Sequence, residues 1–269
     1  MSKIYAMSDI HGCYDAMMKS LEYIKLEPSD LIVFLGDYVD IGKKSFKVLK
    51  EIMRLEEKYP NQIIILLGNH DEWLIEWLFS REKNLNFYGI DVGRETVKSF
   101  LEEAEYQMII DKIQIYSSNN EKLTQFNSLL HKKIIESEKY KNVLNWLRLK
   151  NEEKRYFETG NQIFVHAGID EEAEEFWKVG TSDDIFTEKY PATKGKFYKD
   201  VISGHIYSHE VAGDQSYLGF VYWDESSHYF IDGHTTKSNI VPVIRYDIET
   251  LEYSFLNTSN GDWENYTFR

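Results

Sequence analysis

Short apolar runs that stop at a glycine or a polar residue recur along the chain. The clearest is residues 31–35, Leu-Ile-Val-Phe-Leu, which is followed by Gly36 and Asp37. Runs of this length between turn residues are typical of buried β-strands. Four further stretches have the same layout and are also predicted to be strands: residues 4–7, 63–67, 163–165 and 201–202.

Segments with helical spacing alternate with the first three of these strands. Residues 14–24 and 46–55 place apolar side chains three or four positions apart, with charged side chains on the opposite face. Strands that alternate with helices indicate a sheet covered by helices. Later in the chain, two predicted hairpins pair residues 217–223 with 228–231 and residues 241–246 with 251–255. We therefore predict an α/β fold, a central β-sandwich of two mixed sheets flanked by helices.

Residues 73–150 differ from the rest because helix-forming residues replace the strand-like runs. The clearest breaks within this stretch are residues 89–93 and 117–120. No proline- or serine-rich linker separates it from its neighbours. We predict a helical cap, residues 73–150, inserted in a single domain that spans residues 1–269. Residues 170–191 are acidic and aromatic, without a regular period.

Composition and charge narrow the class of protein. Of 269 residues, 42% are hydrophobic and 28% charged, which is ordinary for a globular protein. The formal charge of −14 argues against nonspecific nucleic-acid binding, which requires a basic surface. The single cysteine, Cys13, excludes an intrachain disulfide, and no apolar run reaches membrane-spanning length. We expect a cytoplasmic protein that binds neither nucleic acid nor a membrane; its oligomeric state stays open.

Each of the five strands is followed by side chains that can bind a metal ion. Taken singly, they are equally well explained as solvated turn residues or a buried structural histidine. If the strand ends meet, however, the side chains converge on a site for two metal ions, with Asp37 placed to bridge them. Carboxylate, imidazole and amide donors without a thiolate suit Mn, Fe or Zn better than Cu. The candidate ligands are Asp9, His11, Asp37, Asn69, His166 and His205.

Charge balance indicates the substrate of such a site. Two divalent ions bring four positive charges, and the carboxylates of Asp9 and Asp37 remove two of them. The remaining positive charge suits a phosphate ester together with a metal-bound hydroxide. Metal ions roughly 3.5–4 Å apart activate that hydroxide and hold the phosphoryl oxygens for in-line attack. We expect hydrolysis of phosphomonoesters, with Asp37 bridging the two ions.

His70 is left free for acid catalysis. It follows Asn69 directly, so Asn69 can face a metal ion while His70 faces the leaving group. A carboxylate bound to a histidine favours the protonated imidazole, as a general acid requires. Asp40 is the best candidate for this carboxylate, the alternative being that it is an ordinary turn residue.

These residues lie in motifs that resemble those of the calcineurin-like metallophosphoesterases. Within them the chain looks most like the serine/threonine phosphoprotein phosphatases of bacterial and phage type, which are related to the symmetrical diadenosine tetraphosphatases. The resemblance covers roughly residues 3–250. The motifs are Ser-Asp-Ile-His-Gly, Gly-Asp-Tyr-Val-Asp-Ile-Gly, Gly-Asn-His-Asp, Val-His-Ala-Gly and Ser-Gly-His, with Ile-Asp-Gly resembling the closing segment.

The resemblance implies a β-sandwich and a division of the ligands between two metal ions. Asp9, His11 and Asp37 would hold one ion. Asp37 would also hold the second ion, together with the remaining ligands Asn69, His166 and His205. His70 and Asp40 would form the acid pair. The ions would be Mn, with Fe or Zn as alternatives, and the substrate a phosphoprotein or a small phosphoester.

The chain departs from the family pattern at the phosphate-binding arginines. Ile41 and Leu67 stand where the family usually has arginine, and residues 171–191 contain none. Lys43 and Arg94 are the tentative substitutes, with Lys44 a further candidate. The departure leaves two alternatives to a protein phosphatase: a hydrolase of nucleotide polyphosphates, or a catalytically weak metal-binding scaffold. His209 and His234 are rivals of His205 as the last ligand.

Overall fold

The computed structural model describes residues 2–80 and 87–265. Its first sheet has six strands in the order β11-β10-β9-β1-β2-β3, with β1, β2 and β3 parallel and the other pairs antiparallel. These strands are β1 (Lys3–Met7), β2 (Leu31–Phe34), β3 (Ile63–Ile65), β9 (Ile244–Asp247), β10 (Glu252–Asn257) and β11 (Asp262–Asn265).

The second sheet has five strands in the order β4-β5-β6-β8-β7, with β5, β6 and β8 parallel. They are β4 (Tyr156–Glu158), β5 (Gln162–Val165), β6 (Asp200–Tyr207), β7 (Tyr222–Trp223) and β8 (His228–Asp232). The two sheets pack face to face across a shared apolar layer that includes Ile4, Ala6, Phe164 and Ile202. The predicted sandwich of two mixed sheets is confirmed.

Alternation along β1 shows why helices cover the outer face of the first sheet. Ile4 and Ala6 face the second sheet, whereas Tyr5 and Met7 face the opposite way and pack against helices. Those helices are α1 (Tyr14–Glu22), α2 (Ser45–Lys58), α3 (Asn69–Phe79), α4 (Arg94–Phe100), α5 (Glu103–Ile113), α6 (Asn119–Ile135) and α7 (Lys141–Asn151). Helices α3–α7 thus share one apolar core with α1 and α2.

The remaining helices lie on the second sheet or follow its strands. Trp177 and Phe186 anchor α8 (Trp177–Gly180) and α9 (Asp183–Glu188) against Ile163 and Val201 of that sheet. Two short helices, α10 (Ser208–Ala212) and α11 (Thr235–Ser238), follow β6 and β8. No helix among the described residues combines the length and the apolar character needed to cross a bilayer.

Several boundaries differ from the sequence prediction. Helix α3 begins at Asn69, not at residue 73, so Asn69 and His70 lie in its first turn and not in a loop. Strand β9 begins at Ile244, because Pro242 has no backbone N–H to donate to a neighbouring strand. Only Tyr222 and Trp223 of the predicted run 217–223 are in a strand. Both predicted hairpins nevertheless form.

Candidate metal centre

The ligand-bearing segments come from both sheets, not from one sheet edge. Loops after β1 and β2 and the start of α3 belong to the first sheet, and the segment after β5 belongs to the second. His166, which follows β5 of the second sheet, contacts the first sheet, because its Nδ1 lies 3.0 Å from the carbonyl oxygen of Leu35. The backbone N–H of His205 lies 3.2 and 3.1 Å from the two carboxylate oxygens of Asp9. The site therefore spans the ends of the sandwich.

Asp37 lies at the centre of the site. Its Oδ2 is 3.6 Å from Nε2 of His11 and 3.5 Å from Nε2 of His166. Two groups of ligand atoms, each with its members within 4.8 Å of one another, share this carboxylate: His11, Asp37 and His70 form one, and Asp37, His166 and His205 form the other. A carboxylate common to two groups is placed to bridge two cations.

The tautomers of His11 and His166 suit metal binding. Nδ1 of His11 lies 2.8 Å from the carbonyl oxygen of Val39, just as Nδ1 of His166 lies near that of Leu35. Because a carbonyl oxygen can only accept, Nδ1 carries a proton in both rings, and Nε2 is the nitrogen that can bind a metal ion once it has lost its own proton. Around Nε2 of His166 lie two more acceptors, Oδ2 of Asp37 and, at 3.3 Å, Oδ1 of Asn69. Acceptors that converge in this way fit a shared cation.

Electrostatics also favour a cation at this point. Burial opposes the charged imidazole of His166, but the Asp37 carboxylate outweighs it and raises the pKa of His166 to about 10. Burial likewise opposes ionisation of Asp37, yet His166 and His11 hold the pKa of Asp37 well below its usual range. Burial, and then His166, lower the pKa of His205 to about 4, so this imidazole is neutral as a ligand requires.

His205 reaches the site through a bulge within β6, not from a loop after the strand. The register between β6 and β8 shifts between Ser203 and Tyr207, and His205 has a φ of 65°. A residue in this left-handed conformation turns out of the alternating pattern of a strand. The preceding Gly204 has no side chain because a Cβ there would lie 2.0 Å from Oδ2 of Asp9.

Left-handed backbone occurs at three predicted ligands of the first two loops and at Asp40 of the predicted acid pair. Positive φ angles occur at Asp9 (52°), His11 (43°), Asp37 (56°) and Asp40 (69°). A left-handed non-glycine residue costs on the order of 1–3 kcal/mol and persists only where its surroundings enforce it. Here the loops after β1 and β2 hold each other in this conformation, because N–H of His11 donates to the carbonyl oxygen of Asp37 at 2.9 Å. The backbone conformation that points these side chains inward therefore lowers the stability of the fold.

His70 and Asp40 form the predicted pair. Nδ1 of His70 lies 2.7 Å from Oδ2 of Asp40, which is fully buried. Oδ1 of Asp40 accepts hydrogen bonds from the hydroxyls of Tyr88 and of Thr96, the latter at 2.8 Å. Burial opposes the imidazolium of His70, but the hydrogen bond to Asp40 outweighs it and raises the pKa of His70. Sequence reasoning missed Tyr88 and Thr96, whose hydroxyls hold Asp40 from a distant part of the chain.

Two buried carboxylates beside the ligands were also missed. Asp71 accepts backbone N–H groups from Asp37, Tyr38 and Gly68 at 2.7, 3.0 and 3.0 Å. Burial, and then the nearby Asp9, raise the pKa of Asp232 well above its ordinary value. The only sequence signal for Asp71 was its position directly after His70, where a first-turn carboxylate is common at the start of a helix.

We expect Asp71→Ala to destabilise the protein by more than about 3 kcal/mol, because three buried N–H groups would lose their acceptor at about 1–3 kcal/mol each. Chemical denaturation, read by the free energy of unfolding, measures this. Asp71→Asn keeps an acceptor oxygen and the side-chain volume, so its loss should be smaller. Equal stability of Asp71→Ala and the wild type would show that water replaces the carboxylate.

The predicted substitutes for the arginines lie at the surface. Arg94 is exposed, with its Nε 3.7 Å from Oε1 of Glu95. Lys44 is half-buried and forms an ion pair with Asp15, and Lys43 is exposed in the same loop. Their part in substrate binding stays a prediction.

The rival histidines contact each other. Nε2 of His209 lies 3.2 Å from Nδ1 of His234, whose ring stacks on Tyr207 with 3.7 Å between centroids. Neither belongs to the two groups of potential ligand atoms that share Asp37, whereas His205 does.

Comparison with known proteins gives one family match and several similar folds. A family model described as calcineurin-like phosphoesterase matches residues 2–237. A mutant of a cold-active protein tyrosine phosphatase aligns with a TM-score of 0.57 and 14% identity, over 98% of this chain and 80% of that one. A putative diadenosine tetraphosphatase aligns with a TM-score of 0.50 and 16% identity, over 94% and 92%.

A third solved structure is a serine/threonine phosphatase from Saccharomyces cerevisiae described as similar to human phosphatase PP5. It aligns with a TM-score of 0.50 and 14% identity, over 91% of this chain and 72% of that one. At these identities the three structures establish a common fold.

Proposed function

The chain belongs to the calcineurin-like phosphoesterase family and is therefore a metallophosphoesterase, a hydrolase of phosphoesters, and we propose that it acts with two divalent metal ions on the phosphomonoesters of serine and threonine in phosphoproteins. The observation that carries this proposal is the position of Asp37, whose Oδ2 faces Nε2 of His11 on one side and Nε2 of His166 on the other. Ligand atoms arranged around a shared carboxylate suit a pair of ions and a bound phosphoryl group.

The ligands divide between the two ions in this proposal. Asp9, His11 and Asp37 would hold the first ion, and Asp37, Asn69, His166 and His205 would hold the second. Mn is the proposed metal, because oxygen and imidazole donors without a thiolate suit it, with Fe and Zn as alternatives. When bound, the ions would supply an activated water and neutralise the phosphoryl oxygens.

The chain's own contribution to the reaction is proton transfer and positioning. Asp40 occupies Nδ1 of His70, so only Nε2 of that ring remains to donate a proton to the leaving oxygen. Tyr88 and Thr96 keep Asp40 in place. The pair argues against the scaffold alternative, because a protein that only binds metal has no need of a buried acid pair.

The state of Cys13 fits an intracellular, metal-dependent phosphatase. Burial raises the pKa of the Cys13 thiol, which opposes the thiolate that a cysteine phosphatase needs. The single cysteine also supports the proposed cytoplasmic location. The helical segment of residues 73–150 is proposed to act as a cap that contacts the bulk of the substrate.

An activity screen tests the function. Purified protein with added Mn would be assayed for phosphate release from phosphoserine and phosphothreonine peptides, p-nitrophenyl phosphate and diadenosine tetraphosphate. We expect Mn-dependent hydrolysis of the peptides. Preferred hydrolysis of diadenosine tetraphosphate would favour the nucleotide polyphosphate alternative, for which the fold shared with a putative diadenosine tetraphosphatase is the supporting observation. Two bound ions without hydrolysis of any substrate would favour the scaffold.

We expect Ile41→Arg to lower KM for p-nitrophenyl phosphate, because a guanidinium forms directional, charge-assisted hydrogen bonds with phosphate. Ile41 follows Asp40 directly and is 49% exposed with a φ of 62°, so a charge there should not cost stability. Ile41→Gln, which adds length and polarity without charge, is the matched control. A wild-type KM that Ile41→Arg leaves unchanged would show that another cation already binds the phosphate.

A further inference from the structure

Trp73 lies against the proposed acid histidine. It follows His70 by three positions near the start of α3, so both side chains lie on one side of the helix. Their ring centroids are 4.6 Å apart with an interplanar angle of 52°. The ring of His11 contacts His70 edge-on, with 4.9 Å between centroids. His70 thus has an aromatic neighbour that is not one of the six proposed metal ligands.

Contacts with the second half of the chain hold Trp73 in place. Its indole N–H donates to Oε1 of Glu188 in α9 at 3.2 Å. The neighbouring Glu72 accepts from Nε of Arg155 at 2.5 Å and from the hydroxyl of Thr187 at 3.0 Å. The first turn of α3 is therefore tied to α9 at two consecutive residues. The indole itself is half-buried, so part of its surface faces solvent.

The position of His70 determines where a leaving group must lie. The leaving oxygen has to come within about 3 Å of Nε2, the nitrogen that Asp40 leaves free. The group attached to that oxygen then extends past the imidazole, where the indole lies. In residues 2–80 and 87–265, no lysine or arginine forms a hydrogen bond, ion pair or cation–π contact with His70 or Trp73. The indole is thus the aromatic surface next to His70, and the charged side chains of Glu72, Arg155 and Glu188 lie beyond it.

We propose that Trp73 is a specificity-determining residue on which a planar aromatic leaving group stacks, so that the site accepts aryl phosphomonoesters in addition to those of serine and threonine and binds the aryl ones more tightly. The inference rests on the proposed function for the position of the phosphoryl group. Stacking on an aromatic side chain is worth about 1–3 kcal/mol, which corresponds to about 5- to 150-fold in binding. A small alkyl group of serine type has no flat face and gains little of this.

Binding of phosphonates, which are not hydrolysed, tests the proposal apart from catalysis. Calorimetry on the Mn-loaded protein would compare phenylphosphonate with methylphosphonate for the wild type, Trp73→Ala and Trp73→Phe. We expect the wild type to bind phenylphosphonate at least about 5-fold more tightly, Trp73→Ala to lose this preference, and Trp73→Phe to keep most of it. The matched control is Trp263→Ala in β11, where the indole packs against Arg245 and Tyr5, neither of which is a proposed ligand.

Kinetics separate stacking from an indirect effect on His70. If Trp73 only positioned the acid, Trp73→Ala would slow a phosphoserine peptide more than the matched phosphotyrosine peptide, because the poorer leaving group depends more on protonation. Stacking predicts the reverse, a rise in KM chiefly for phosphotyrosine. A thermal melt and the Trp73→Phe variant exclude misfolding as the cause.

The outcomes also separate this inference from the proposed function. A preference for phenylphosphonate that depends on Trp73, in a protein that hydrolyses nothing, would keep the stacking surface and reject the phosphatase. Hydrolysis without a phenyl preference, or with equal losses on both peptides in Trp73→Ala, would reject the stacking surface and leave the phosphatase in place.

Discussion

Asp37→Asn is expected to abolish hydrolysis and to lower the metal content below two ions per chain. Oδ2 of Asp37 faces both His11 and His166, so one amide substitution weakens the binding of both proposed ions. An amide is neutral and offers one oxygen where the carboxylate offers two. Elemental analysis of the purified variant, together with phosphate release from p-nitrophenyl phosphate, measures both effects.

The matched control for this variant is Asp111→Asn, an exposed aspartate of α5 that takes no part in the proposed site. It should keep both activity and metal content. An Asp37→Asn protein that is active and carries two ions would remove the bridging role from Asp37.

His70→Asn is expected to keep both ions and to lose about 10²- to 10⁴-fold in rate, the usual contribution of general acid catalysis. The loss should be smaller for p-nitrophenyl phosphate than for a phosphoserine peptide, because a good leaving group needs less protonation. Elemental analysis is decisive here, since His70 also lies close enough to His11 and Asp37 to be a ligand. Loss of an ion would reassign His70 from proton donor to ligand.

His131→Asn is the matched control for His70→Asn. His131 is half-buried in α6, and its Nε2 contacts the carbonyl oxygen of Leu78. Its replacement should leave the rate and the leaving-group dependence unchanged. Equal losses on good and poor leaving groups in His70→Asn would argue against proton donation to the leaving oxygen.

The apolar pattern was sufficient to predict the main architecture. Runs such as residues 31–35 lie in the sandwich because burial of apolar side chains stabilises them, and burial is what hydrophobic periodicity reports. The pattern could not show that the ligand-bearing strands divide between two sheets. That division depends on which strands pair, and strand pairing is a long-range property that a local pattern does not contain.

The sequence signal was clear for site residues that directly follow a strand. It was weak for residues whose position in the site depends on tertiary contacts. Asp9, His11 and Asp37 come just after apolar runs, and the structure brings His11 and Asp37 into one group of potential ligand atoms, with Asp9 buried nearby but outside that group. His205, by contrast, depends on a bulge in β6, which has no signal in the sequence beyond Gly204. Tyr88 reaches Asp40 from 48 positions away along the chain, and no local pattern marks it.

The helices between β3 and β4 contribute to the site as well as to the core. Tyr88 and Thr96 hold Asp40, and α3 carries Asn69 and His70 in its first turn. N–H of His70 also donates to Oδ1 of Asp37 at 3.1 Å, so the positive end of the α3 dipole faces this carboxylate. The start of this segment is therefore part of the proposed site and not a separate addition to it.

Titration of the chelated protein with Mn²⁺, with phosphate release recorded at each addition, tests the central claim most directly. We expect no hydrolysis in the chelated protein, and an increase in rate that reaches its plateau at two equivalents of Mn²⁺ per chain, because the proposed chemistry would require both ions. Full activity after chelation, or a plateau at one equivalent, would contradict the account of a two-metal phosphoesterase centred on Asp37.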